Sequence, residues 1–214
     1  MKRPTVGLAL EGLPIIGLAA LSSVVFGLIG CATMAFILLL ACAFCLHFFR
    51  DPERIPPADA SLAVAPADGK VVKVGQARDP VSGEERTVVC IFMNVFNVHV
   101  NRCPVEATLS RIDYFPGKFI NASLDKASQD NERAVLSLTG ADGGKWTVVQ
   151  IAGLVARRIV CRADVGDRLA RGERFGLIKF GSRVDCYLPS GYAPLVRVGD
   201  KTTAGQTAIA RPSA

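Results

Sequence analysis

Only two histidines occur in 214 residues, His47 and His99, and histidine is the side chain best suited to moving protons near neutral pH. His47 lies inside a long uncharged stretch. That leaves His99, in Phe96-Asn97-Val98-His99-Val100-Asn101-Arg102, as the candidate general base, held on rigid backbone just after an apolar run. Two further residues complete a set of nucleophile, base and acid: Ser182 in Phe180-Gly181-Ser182-Arg183, and Asp68 in Ala65-Pro66-Ala67-Asp68-Gly69-Lys70. Such sets are recognised by role rather than chain order. Each residue alone also has a plain structural reading, as a packed histidine, an Asp-Gly turn before a valine-rich strand, or a Gly-Ser loop. Together they allow an ordinary serine hydrolase, or an attack by Ser182 on the carbonyl of the glycine before it. The Gly-x-Ser-x-Gly elbow of many hydrolases is missing, because Phe180 and Val184 stand two positions either side of Ser182. Glycine at 181 has no side chain to block an attack on its carbonyl and tolerates strained backbone.

The elements that must position these residues read as mainly β: a compact β barrel or sandwich-like domain behind an N-terminal transmembrane helical hairpin. From Ser61 onward, short apolar runs alternate with glycine, aspartate and proline, which predicts strands. They are expected at 70–74, 87–93, 107–114, 134–139, 145–151, 158–161 and 183–188. Ala141-Asp142-Gly143-Gly144 is a hairpin turn signal. A short echo, Val165-Gly166-Asp167 with Gly172 and Val198-Gly199-Asp200 with Gly205, predicts two similar turn-strand units. That pattern also occurs in lipoyl and biotinyl carrier domains, where Asp125-Lys126-Ala127 would resemble the modified turn. Here, however, both copies follow Lys126 instead of preceding it, and a solvated loop lysine is the plainer reading.

Gly12 to Phe49 carries no formally charged side chain. One spanning helix needs about 20 residues, so two helices are expected, at 14–29 and 33–49, turning near Gly30-Cys31. The stretch is too long for a signal peptide. Lys2 and Arg3 before it, with Arg50 and Arg54 after it, place both ends on the cytoplasmic side; a single tilted span is the alternative. The expected division is a membrane anchor at 1–50 and a catalytic domain at 51–214. The net charge of +6 suits an acidic lipid surface better than nucleic acid in a membrane-attached chain. Seven scattered cysteines imply no disulfide framework. Cys42-x-x-Cys45 has no second ligand pair, so no metal is expected.

Several ordered motifs then carry a family resemblance. Phe48-Phe49-Arg50-Asp51-Pro52-Glu53-Arg54, Pro66 to Val71, Asn97 to Arg102, Asn131-Glu132-Arg133, Arg174-Phe175-Gly176 and Phe180 to Asp185 resemble the short bacterial and archaeal type of phosphatidylserine decarboxylase. The resemblance runs from the membrane segment almost to the C-terminus. It departs from longer members of the family in two places: Phe-Gly-Ser-Arg replaces Leu-Gly-Ser-Thr, and Phe96 stands where they carry a second histidine. The resemblance implies autocatalytic cleavage between Gly181 and Ser182, with His99 as base and Asp68 orienting it. The products would be a β chain, 1–181, and an α chain, 182–214, forming a heterodimer, with a higher oligomer left open. Ser182 would become a covalent pyruvoyl group that forms a Schiff base with phosphatidylserine and releases CO2 and phosphatidylethanolamine, without PLP or metal. His99 is the first candidate to return the proton, and Arg102, Arg133 and Arg183 are candidates for the head group. The expected location is the cell membrane, with the catalytic domain facing the cytoplasm.

Overall fold

The computed structural model describes residues 7–123, 127–154, 158–179 and 181–213, with Gln129 in its backbone only. The chain divides into two compact units, Met1–Glu53 and Arg54–Ala214.

In the first unit a 3-10 turn, Leu10–Gly12, leads into α1 (Leu13–Leu28), and α2 (Ala32–Phe48) follows a turn at Gly30 with φ of 81°. Pro14 sits in the first turn of α1, where its missing N–H costs nothing. The helices pack on each other, and the Ser23 hydroxyl donates to the Ala35 carbonyl at 2.8 Å. Their outer ends meet where the Ala9 N–H donates to the Phe49 carbonyl at 2.8 Å. Leu10–Leu28 is long and apolar enough to cross a membrane, while Ala32–Phe48 is apolar but shorter. Lys2 and Arg3, used above for orientation, lie outside the described residues.

In the second unit fourteen strands are present among the described residues. They are β1 (Ala63–Val64), β2 (Gly69–Arg78), β3 (Glu85–Met93), β4 (Val100–Arg102), β5 (Ala107–Phe115), β6 (Arg133–Gly140) and β7 (Lys145–Ala152). They continue with β8 (Ile159–Cys161), β9 (Arg168–Leu169), β10 (Arg174–Ile178), β11 (Ser182–Tyr187), β12 (Tyr192–Pro194), β13 (Lys201–Thr202) and β14 (Ala208–Pro212). A four-residue helix, α3 (Ala127–Asp130), precedes β6. The main sheet is antiparallel, in the order β13-β2-β3-β11-β7-β6-β5-β9, and two smaller sheets run β4-β10-β8 and β1-β14-β12. The mainly β expectation is met. All seven expected strands appear, and β2 runs four residues beyond its expected end because its hairpin turn is set later, by Asp79, whose carboxylate accepts the Val81 N–H at 2.7 Å.

The sheet curls, and the two Val-Gly-Asp units are part of the reason. Each feeds a short strand, β9 or β13, that pairs with an opposite edge of the sheet. The glycines that follow, Gly172 and Gly205, approach so closely that a Cβ on Gly205 would stand 3.5 Å from the Gly172 Cα. The two edges are thereby drawn together around a core that includes Trp146, Leu136, Ile91 and Phe175. Side chains alternate across each strand. On β11, Val184 and Cys186 enter this core, and Tyr187 packs in a second cluster on the opposite face.

Candidate active site

Ser182 opens β11, the strand between β3 and β7, and is paired with Met93 on one side and Ala152 on the other. It is fully buried. Its hydroxyl donates to the Met93 thioether at 3.9 Å, a weak acceptor that holds the proton loosely. Behind it the Asn101 amide donates to the same sulfur at 3.8 Å and accepts from Gln150 at 2.8 Å, so a buried amide pair backs the serine.

His99 follows a tight turn at Asn94–Asn97. The Asn94 carboxamide accepts the Phe96 N–H at 2.9 Å, and the Asn97 carboxamide accepts the Asn94 N–H at 2.9 Å. The Asn97 carbonyl lies 2.9 Å from His99 Nδ1. A carbonyl can only accept, so Nδ1 carries the proton and Nε2 presents a lone pair. That lone pair accepts the Gly181 N–H at 3.4 Å. The ring is 2% exposed, and the base candidate thus rests against the residue preceding the nucleophile candidate.

Gly181 has φ of 63°, a left-handed conformation that strains any residue with a Cβ. Its carbonyl lies flush on Gly153. A Cβ at 153 would stand 2.1 Å from the Gly181 oxygen and 2.9 Å from its carbonyl carbon. Gly153 follows directly on Ala152, the strand partner of Ser182, so the close approach is a consequence of register. Asn131 secures that strand end: its amide donates to the Ala152 carbonyl at 2.7 Å and the Ile120 carbonyl at 2.8 Å, and accepts the Ile120 N–H at 3.1 Å.

Asp68 is placed differently from the expected triad. Both its oxygens are taken by Arg54, one at 2.8 Å from Nη2 and the other facing Nη1, and the Ala204 N–H donates to it at 2.8 Å. No hydrogen bond joins it to His99 among the described residues; the backbone of Asn97 fills the orienting position at Nδ1. Arg54, seen in the sequence only as a flanking charge and part of a motif, is therefore the partner of Asp68 and also donates to the Ala204 carbonyl at 2.9 Å. Of the three arginines considered for the head group, Arg183 forms a buried pair with Asp185 at 2.6 and 2.7 Å. Arg102 is buried and donates to the Gly172 carbonyl at 2.9 Å. Arg133 stacks over Phe115 at 4.7 Å and lines a cavity of about 320 Å³ with Lys73, Arg78 and Asp185. Because Asp185 points to the face of β11 opposite Ser182, that cavity lies across the sheet from the serine.

Among the described residues no group of three metal-ligating side chains occurs. Lys126, the candidate carrier lysine, and Phe180 lie outside the described residues.

The family model for phosphatidylserine decarboxylase matches residues 41–210. A phosphatidylserine decarboxylase proenzyme of Nitratidesulfovibrio vulgaris is 61% identical over 213 residues, covering 100% of this chain and 98% of its own. That of Solidesulfovibrio magneticus is 59% identical over 211 residues, covering 99% of each. That of Geobacter metallireducens is 48% identical over 214 residues, covering 98% of each.

Proposed function

Because the chain belongs to the phosphatidylserine decarboxylase family, and is a decarboxylase processed by its own chemistry from a proenzyme, we propose that the processing bond is Gly181–Ser182 and that Ser182 becomes its pyruvoyl group. The observation that carries this is the lone pair of His99 Nε2 resting at the Gly181 amide, with its Nδ1 proton fixed by the Asn97 carbonyl.

In the first step His99 takes the Ser182 hydroxyl proton, and Oγ attacks the Gly181 carbonyl carbon. The C–N bond breaks, the amine takes a proton, and an ester links residues 181 and 182. Gly181, left-handed and without a side chain, leaves that carbonyl open to attack. His99 then removes the Ser182 Cα proton, and the Cβ–Oγ bond breaks, so Gly181 departs as a carboxylate. The remaining enamine tautomerises and water displaces ammonia. Asn97 orients the ring, while Asp68 is held by Arg54 and the Ala204 N–H and takes no part in the proton transfers. A pyruvoyl group at 182 supplies an electrophilic ketone that engages the substrate amine and accepts electrons as CO2 leaves. The residues around 182 fit such a group: Ser182 is fully buried, the amide pair Asn101–Gln150 behind it is polar without being basic, and His99 stands at the adjoining Gly181 amide as a proton carrier.

The α chain 182–214 and β chain 1–181 remain joined because β11 sits inside the main sheet, hydrogen-bonded on both sides to strands of the β chain. The apolar pair α1 and α2 enters the membrane as two spans, with both ends and the catalytic unit on the cytoplasmic side, in keeping with Arg50 and Arg54 after the second helix. Ser182→Ala is expected to leave one uncut chain without decarboxylase activity. A fully active, uncut Ser182→Ala enzyme would overturn the assignment. A carrier role for Lys126 and an ordinary serine hydrolase are both disfavoured by the family.

A further inference from the structure

The substrate of this family is a lipid, yet Ser182 is buried at one end of a β sheet, so its head group must arrive from the bilayer at that end. Register defines which residues surround it. Met93, Ser182 and Ala152 lie level across β3, β11 and β7; one residue inward, on the opposite face of the sheet, Ile151 of β7 pairs with Arg133 of β6, and Phe115 lies opposite Arg133 on β5. Three chain segments leave the sheet there, after β3, β7 and β5. Each displays a large apolar side chain to solvent: Phe96 is 64% exposed, Leu154 67% and Phe115 40%.

The display of Phe96 is built in. The asparagine turn at Asn94–Asn97, closed by side-chain bonds at both ends, turns Phe96 outward and orients His99 at the same time. Cations lie beside the apolar groups, with the Arg133 guanidinium over the Phe115 ring and Arg158 exposed next to β8. Aromatic and leucine side chains beside arginine are the composition that lies in a headgroup layer, apolar parts in the acyl boundary and charges on phosphate.

We propose that Phe96, Leu154 and Phe115 form an interfacial rim that enters the surface of a bilayer containing acidic phospholipid, seating the mouth of the site on the layer from which substrate comes. Its role in turnover rests on Ser182 as the reacting residue; its contact with lipid does not.

The test uses the full chain reconstituted in vesicles of phosphatidylcholine and phosphatidylserine, with or without bromine on the phosphatidylcholine acyl chains. The one native tryptophan, Trp146, is buried and provides the baseline. Phe96→Trp and Leu154→Trp are each expected to add emission that brominated lipid quenches. Val81→Trp, in the β2–β3 turn at the far end of the sheet, is expected to add emission that brominated lipid leaves unchanged. Equal quenching at 81 and 96, or none at 96 and 154, overturns the rim. In a second measurement, Phe96→Asp with Leu154→Asp is expected to lower the ratio of turnover on vesicle lipid to turnover on monomeric short-chain phosphatidylserine about tenfold, equivalent to about 1.4 kcal/mol. An unchanged ratio contradicts the proposal. An uncut, inactive wild-type chain would instead refute the Ser182 assignment while leaving the quenching result intact.

Discussion

Gly153→Ala adds one methyl group at the most crowded point of the site, and its effect can be worked from the structure. The new Cβ would lie 2.1 Å from the Gly181 oxygen, where anything under 3.0 Å forces a shift. Both contacts are backbone, so no flexible side chain can swing aside. Either the end of β7 or the Gly181 carbonyl must move by about 1 Å, and a misplacement of that size at a reacting centre costs about 100-fold in rate. That equals about 2.7 kcal/mol in activation free energy. Self-cleavage is followed by pulse labelling and gel separation of precursor from β chain, with the folded state of the precursor checked by its thermal transition. Hydroxylamine adds a readout that misfolding would not give: it traps an ester between 181 and 182. Gly153→Ala is expected to accumulate precursor that hydroxylamine does not cut, because the first attack is what fails. Gly75→Ala, where a Cβ meets nothing within 4 Å, is the control and is expected to mature normally. A Gly153→Ala precursor that folds and matures at the wild-type rate would refute this reasoning.

Removing one partner of a buried ion pair strands the other charge, at a cost of about 3–5 kcal/mol. Asp185→Ala, which removes the carboxylate that Arg183 holds at 2.6 and 2.7 Å with both side chains 2% exposed, is expected to lower stability by up to about that much in urea unfolding; a change under about 1 kcal/mol would contradict it. Arg54→Ala, with side chains 7% and 13% exposed in the Asp68 pair, is expected to cost slightly less, about 2–3 kcal/mol, with Arg54→Lys recovering part of it in the same assay. Burial pushes the Cys103 thiol up to about 12 and raises Cys90 and Cys186 as well. The folded state therefore holds protons that the unfolded chain releases. Their contribution is complete below the ordinary thiol value of 9.0 and is lost as pH rises above it. The melting temperature is expected to fall above that pH, less steeply in Cys103→Ala; an identical slope in the variant would count against it.

Much of the site was legible because its chemistry is scarce in the chain. With two histidines, one of them in an apolar helix, His99 stood out, and Gly181-Ser182 stood out once a hydrolase elbow was missing. The long strands were legible from valine-rich runs and turn residues. Short strands such as β1, β4 and β12 were not, because they are too short to show a period of two, whereas β9 and β13 were signalled only by the repeated Val-Gly-Asp turn. Arg54 and Asp68 are separated by a proline-rich connection, and nothing local says that the long arginine side chain folds back onto the carboxylate. Gly153 was invisible for a different reason. Gly-Leu after a strand reads as a turn, and its closeness to Gly181 exists only through the pairing of Ala152 with Ser182, thirty positions later. The orienting group for His99 is a backbone carbonyl, which sequence cannot distinguish from any other.

The central claim is that the chain cuts itself before Ser182 and converts that residue, and the intact mass of the purified protein tests it most directly. Two chains are expected: one ending at Gly181 with a free carboxylate, and one spanning 182–214 that is lighter than its unmodified sequence by one ammonia and reacts with a hydrazine. A single unmodified chain that still decarboxylates phosphatidylserine, or a small chain beginning at any residue other than 182, would contradict it.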